Sequence, residues 1–133
     1  MMGINVNDRT QDYTAQILSG EKTVETRRTN SLRPYVGKRV GIVRTGRGRA
    51  TLVGYATIGE PIRYEHRKQF AADYARHRVA AGSPHDCGPE GKYGYLLTDV
   101  EATTPRQVTS RGIVARRIGP STPNDETTTP QKE

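Results

Sequence analysis

Tryptophan is absent from this 133-residue chain, and phenylalanine and cysteine occur once each. With Cys87 alone, an internal disulfide is excluded, and so is a cysteine-rich zinc site. No apolar run approaches the ~18 residues of a membrane-spanning helix, and the N-terminus shows no signal-peptide core, so no membrane partner and a cytoplasmic location are expected. Acidic residues are also scarce, 14 against 21 Lys and Arg. Hydrophobic residues make up only 32%, with a mean hydropathy of −0.79, which implies a modest core.

Part of that polarity lies in the last fifteen residues, Gly119 to Glu133 (GPSTPNDETTTPQKE). They lack apolar periodicity and are expected to form a disordered tail, 119–133. Residues 1–118 then form one domain carrying 20 Lys and Arg against 11 Asp and Glu, a net +9. Arginines recur from Arg27 to Arg49 and again at Arg111, Arg116 and Arg117. A small domain this basic suits a nucleic acid or nucleotide, because neutralising phosphates releases condensed counterions.

The patterning predicts a strand at Gly3–Val6 and a helix to Ser19, capped by Asn7 or Asp8. Gly20 stands where a left-handed residue closes a helix. Strands are predicted over Lys22–Arg28, Lys38–Arg44, Ala50–Ile58 and Tyr93–Val100, with another centred on Ile113-Val114-Ala115. A second helix over Glu65–Ala80 would turn Phe70, Tyr74 and Val79 inward. There is no repeat and no strand–helix–strand rhythm, which favours a small curved sheet or barrel with helices at its ends.

The most informative string is Gly20-Glu21-Lys22-Thr23-Val24-Glu25-Thr26-Arg27, which sets a cation, an anion and a second cation within six residues. In an extended strand Thr23, Glu25 and Arg27 share one face and Lys22 and Val24 the other. Lys22 lies at the helix-to-strand corner, where Gly20 lets the backbone bend, so it can still reach the side of Glu25. Two readings stay open on these residues: solvated alternating charges on an edge strand, or a polar ligand site. In the second, Glu25 stays ionised and fixes the cations, while a desolvated lysine beside an arginine has a depressed pKa and can act as base or nucleophile.

The other signals are weaker. His85-Asp86-Cys87 reads as a polar loop, since three adjacent residues converge poorly on one ion, and no metal and no cofactor are expected. His66 and His77 read as packing or solvated histidines on a basic helix. Gly46-Arg47-Gly48-Arg49 lacks the G-K-[ST] of a phosphate loop and reads as a hairpin tip, with Arg47 and Arg49 placed to grip a nucleic-acid backbone. Tyr93 shares a strand face with Tyr95, either to stack on a base or to pack in the core, and Tyr35 has similar standing.

The string at Gly20–Arg27 resembles the G-x-K-x-x-E-x-R signature of the ASCH domain family, relatives of the PUA RNA-binding domain. Gly20, Lys22, Glu25 and Arg27 all match, and Thr23 and Val24 are in the usual company. The preceding Ala15–Gly20 helix end, the Gly37–Val40 segment, the Gly54–Glu60 strand and Lys92-Tyr93-Gly94-Tyr95 extend the likeness over residues 4 to about 118. The resemblance implies an α+β fold: a PUA-like small β-barrel of five or six strands flanked by two main helices, with a cleft lined by the motif. It also implies binding of RNA, single-stranded nucleic acid or a modified nucleoside there. Some small members are amidohydrolases that deacylate N4-acetylcytidine, and a ribonuclease activity has been proposed for another member.

In those amidohydrolases a lysine at the place of Lys22 is catalytic, assisted by a threonine three residues on and an acid from the second helix. Glu25 stands at the place of that threonine; Asp73, with Glu65 second, is the placement for the acid. The expected catalytic residues are therefore Lys22, Glu25 and Asp73. The expected ligand-binding residues are Lys22, Glu25, Arg27, Arg47, Arg49 and Tyr93. Amide hydrolysis would use Lys22 with Asp73 as base and acid, and Arg27 to stabilise the oxyanion. A ribonuclease would need a strong acid–base pair, and no histidine pair is evident.

Overall fold

Alternating apolar residues and short turns build six strands: β1 (Met2–Asn7), β2 (Val24–Arg27), β3 (Arg39–Thr45), β4 (Thr51–Tyr64), β5 (Lys92–Gln107) and β6 (Ala115–Arg117). The computed structural model describes residues 1–119, so the expected tail lies, apart from Gly119, outside the described residues. The strands form one sheet in the order β2-β5-β4-β3-β1-β6. β1 runs parallel to β3, and every other pairing is antiparallel. The fold is α+β as expected, but β2 and β6 remain edges, so these pairings do not close the sheet into a barrel.

β4 continues past the expected Ile58 to Tyr64, because a register shift between Ile58 and Pro61 absorbs the proline opposite Tyr95. The last strand begins at Ala115 rather than centring on Val114. The Asn5 amide donates to the carbonyls of Gly112 and Ile113 at 2.8 and 2.9 Å, which draws those residues into a loop. Ile113 is consequently 95% exposed.

Most apolar side chains gather on one face, including Ile4, Ile17, Val40, Ile42, Ile58 and Tyr95. A smaller cluster of Val43, Leu52 and Ile118 covers the other face. There Ile118 lies directly over the backbone, and a Cβ at Gly41 would come within 2.6 Å of it.

The helical segments are shorter than the periodicity predicts. Helix α1 (Tyr13–Ser19) starts late, with Asp12 at its N-cap position. Asp8 still serves the helix start from a distance, its buried carboxylate accepting from the Thr14 N–H at 3.0 Å and hydroxyl at 2.5 Å. The expected second helix is two pieces, α2 (Arg67–Ala72) and α3 (Tyr74–His77), broken at Asp73. Asp73 accepts from the Tyr64 hydroxyl at 2.5 Å and from Arg76 Nε at 2.8 Å, tying the break to β4. Phe70 and Val79 are buried as expected, whereas the break leaves Tyr74 45% exposed.

α1 ends at Gly20, whose φ of 85° is left-handed and whose N–H donates to the Ile17 carbonyl at 3.1 Å. This turn sends the chain back so that the Lys22 N–H reaches the Gln16 carbonyl at 2.9 Å and the Thr23 N–H the Arg76 carbonyl at 2.9 Å. A Cβ at Gly20 would meet nothing within 4 Å, so backbone strain alone opposes a side chain. Gly20→Ala should therefore lower stability by about 1 kcal/mol. A lower urea midpoint at unchanged m value would show it, and an unchanged midpoint would contradict it.

Candidate functional site

β2 starts at Val24, so Lys22 precedes the strand and escapes its alternation. Val24 points into the core at 0% exposure, and Glu25 and Arg27 turn to the opposite side. Lys22 joins that side and is itself only 2% exposed. Its Nζ donates to the His77 carbonyl at 2.5 Å, lies 3.8 Å from Glu25 Oε1, and sits 4.8 Å from the Tyr13 ring centre. Glu25 Oε2 meets Arg27 Nη2 at 3.0 Å, and that same nitrogen donates to the Asn5 carbonyl at 2.6 Å. The reading of solvated charges on an edge strand is thereby excluded: the Glu25 carboxylate is buried between two cations.

His77 explains where the lysine's acceptor comes from. Its ring is fully buried, stacked on Phe70 with centroids 3.9 Å apart. Nε2 lies 2.7 Å from the Phe70 carbonyl, and Nδ1 accepts from the Val79 N–H at 2.9 Å. That pattern is the neutral imidazole, with Nε2 donating. Burial pushes the ring's pKa down, against the Phe70 carbonyl, which raises it. The packing role expected of His77 holds, and through its carbonyl the residue also braces the site.

These residues line a cleft of about 780 Å³ between the end of β1, the β2 edge, the 84–92 segment and the loop before β6. Among the described residues five cationic ones line it, Lys22, Arg27, Arg28, Lys92 and Arg116, against the acids Glu25, Asp86 and Glu90. Burial pushes the Lys22 amine below the ordinary lysine value; Glu25 raises it and Arg27 lowers it further.

Lys92 is a second buried amine, 6% exposed, donating to the His85 carbonyl. Burial pushes it down to about 8, opposed by Glu25 and reinforced by Lys22. The His85 ring packs edge-on to Tyr13, with centroids 5.9 Å apart, and burial followed by Lys92 pushes its pKa down.

The other expected site residues lie outside the cleft lining. Asp73 is occupied with Tyr64 and Arg76; burial raises its pKa, but the bonds from Arg76 and Tyr64 hold it below the usual carboxylate value. Arg47 pairs with Asp12 on the surface, and Arg49 Nη1 lies 3.5 Å from Gln107 Oε1. Tyr93 packs against the main core under the Arg63 guanidinium, 4.7 Å from the ring centre. In the 85–87 loop, Asp86 accepts from the N–H groups of Gly82 and Cys87 at 2.8 and 2.7 Å, and the buried Cys87 thiol has its pKa raised by that burial. Among the described residues no group of three His, Cys, Asp or Glu is placed to hold a metal ion.

Sequence reasoning missed Lys92, Arg116 and Asn5 as site residues. They come from β5, β6 and β1, and only the sheet order brings them to the motif. Lys92 carried one usable signal, a charge opening the largely apolar stretch Tyr93–Leu97.

No family model matches the chain, and no curated protein matches it. Solved structures do. ASCH from Zymomonas mobilis superposes with a TM-score of 0.66 at 22% identity, over 80% of this chain and 72% of that one. A serine-to-alanine mutant of that protein gives the same values. A tyrosine-to-phenylalanine mutant gives 0.58 at 25% identity, over 80% of this chain and 74% of that one. The chain has the ASCH fold, the fold that the resemblance of the Gly20–Arg27 motif implies. Among the described residues no helix is long and apolar enough to cross a membrane.

Lys92 supplies a pH test. Its folded pKa of about 8 lies below the ordinary 10.5, so the unfolded chain binds the extra proton between those values. Stability contributed at this position must then rise with pH from about 8 towards 10. Against Lys92→Met, wild type should gain about 2 kcal/mol between pH 7 and pH 10 in urea titrations. A pH-independent difference would contradict the shift.

Proposed function

We propose that the cleft binds a single-stranded nucleic acid or a modified nucleoside. The observation that carries this is the buried Lys22–Glu25–Arg27 cluster lining a cavity of about 780 Å³, within the range of small-molecule sites. Two cations held by one carboxylate present both donors and an acceptor to a ligand. A pyrimidine edge needs that combination: a carboxylate accepts from an exocyclic amine, and Lys or Arg donates to ring nitrogen and carbonyl acceptors. The cationic excess in the cleft suits a phosphate-bearing chain as well.

Hydrolysis of an N4-acylated cytidine is the second reading, favoured by two buried amines with lowered pKa. In its neutral form an amine of this kind can take a proton from water as the water oxygen adds to the acyl carbon. Arg27 would stabilise the oxyanion, and collapse would return the proton to the departing N4, releasing cytidine and a carboxylic acid. Asp73, outside the cleft, is not positioned for this chemistry; Glu25 is the buried carboxylate beside Lys22.

Binding of a fluorescent pyrimidine-rich decanucleotide should be measurable at low salt and weaken steeply as salt rises. Lys22→Met and Arg27→Gln should each weaken it at least tenfold. Absence of binding by wild type at low salt, together with no conversion of N4-acetylcytidine to cytidine, would overturn the proposal. Conversion that disappears in Lys22→Met would select the hydrolase reading.

A further inference from the structure

One part of the cleft is built differently from the Lys22 region. Asn5, on β1, gathers two guanidiniums with its own two oxygens. Its carbonyl accepts from Arg27 Nη2 at 2.6 Å, and its side-chain Oδ1 accepts from Arg116 Nε at 2.8 Å. The Asn5 amide nitrogen is spent on the Gly112 and Ile113 carbonyls, which fixes the side chain's orientation and hence that of Arg116. Arg116 Nη1 donates to the Ser110 carbonyl at 2.9 Å. All its acceptors are therefore neutral, and among the described residues neither Arg116 nor Arg28, which also lines the cleft, has a carboxylate partner. Of the cleft's acids, Glu25 is committed between Lys22 and Arg27, while Asp86 and Glu90 belong to the segment leading to Lys92.

An arginine held rigidly by neutral acceptors keeps its full charge and a fixed donor edge, the arrangement suited to a phosphate. Thr29 and Thr45 also line this cleft.

We infer that Arg27 and Arg116, assembled around Asn5, together with Arg28 on the same cleft lining, form a phosphate subsite, so that the occupant of the cleft is a nucleotide rather than a free nucleoside. The inference rests on the nucleoside-binding reading above and adds the group that must be attached to the ligand. The phosphate lies towards β1 and β6, and the base towards Lys22, Glu25 and Tyr13. Recognition is then bipartite, and a free nucleoside engages only one part.

The test uses three ligands: inorganic phosphate, cytidine and cytidine 5′-monophosphate. Phosphate titration followed by NMR of the arginine Nε–H groups should shift Arg116 and Arg28. Calorimetry should show the monophosphate binding at least tenfold tighter than cytidine. Arg116→Gln should erase that advantage. Arg28→Gln, at an exposed residue without a bond to lose among the described residues, should reduce it without touching the fold. Equal affinity for cytidine and its monophosphate, or phosphate shifts that leave Arg116 and Arg28 unmoved, overturns the subsite while the nucleoside reading stands. Phosphate shifts at both arginines with no binding of either cytidine ligand keeps the subsite and overturns the nucleoside reading.

Discussion

Burying the ammonium of Lys22 is the constraint on which the site depends. An unpaired charge in that position is strongly disfavoured, so every neighbour is arranged to compensate it. The His77 carbonyl accepts its hydrogen bond, Glu25 supplies the countercharge, and the Tyr13 face adds a weaker attraction. Each partner is in turn fixed by something else. His77 is locked by the Phe70 stack and the bond from Val79, Glu25 is braced by Arg27, and Arg27 is anchored on Asn5. The result joins α3, β2 and β1 through polar contacts that hydrophobic packing alone would not specify.

The same chain of contacts gives the cleft its polarity. Around Lys22 and Lys92 burial lowers the pKa values of the amines. Beside Asn5 the Arg116 guanidinium is held by neutral oxygens alone among the described residues. A ligand entering such a site meets adaptable proton donors on one side and permanent cations on the other. That division suits a molecule with a heterocycle and an anionic group, and it explains why the cleft is strongly basic without being uniformly so.

Much of this was legible in the chain because the motif is local. Gly20, Lys22, Glu25 and Arg27 fall within eight residues, and the turn at Gly20 is encoded by the glycine itself, so the cluster and its helix-to-strand corner could be read directly. The α+β class and the positions of most strands followed from alternation. What failed was non-local. Asp73 stands as the second-helix acid only through the resemblance, and its bonds to Tyr64 and Arg76 hold the carboxylate at the helix break, outside the cleft lining. Ile113 looked like the centre of a strand until the Asn5 side chain captured its carbonyl. Lys92 and Arg116 reach the motif only through β5 pairing with β2 and β6 pairing with β1, registers that no local pattern encodes. Arg47 and Arg49 carried charge in a suggestive pattern, but their hairpin tip lies away from the cleft lining.

The central claim is that Lys22 is a buried amine whose charge is maintained chiefly by Glu25. Direct titration of the Lys22 amine by NMR, in wild type and in Glu25→Gln, tests it. The account predicts a wild-type pKa below the ordinary 10.5 and a still lower value in the variant, because the one neighbour that raises it has been neutralised while burial and Arg27 continue to lower it. A wild-type value at or above 10.5, or no change on removing the carboxylate, would contradict it.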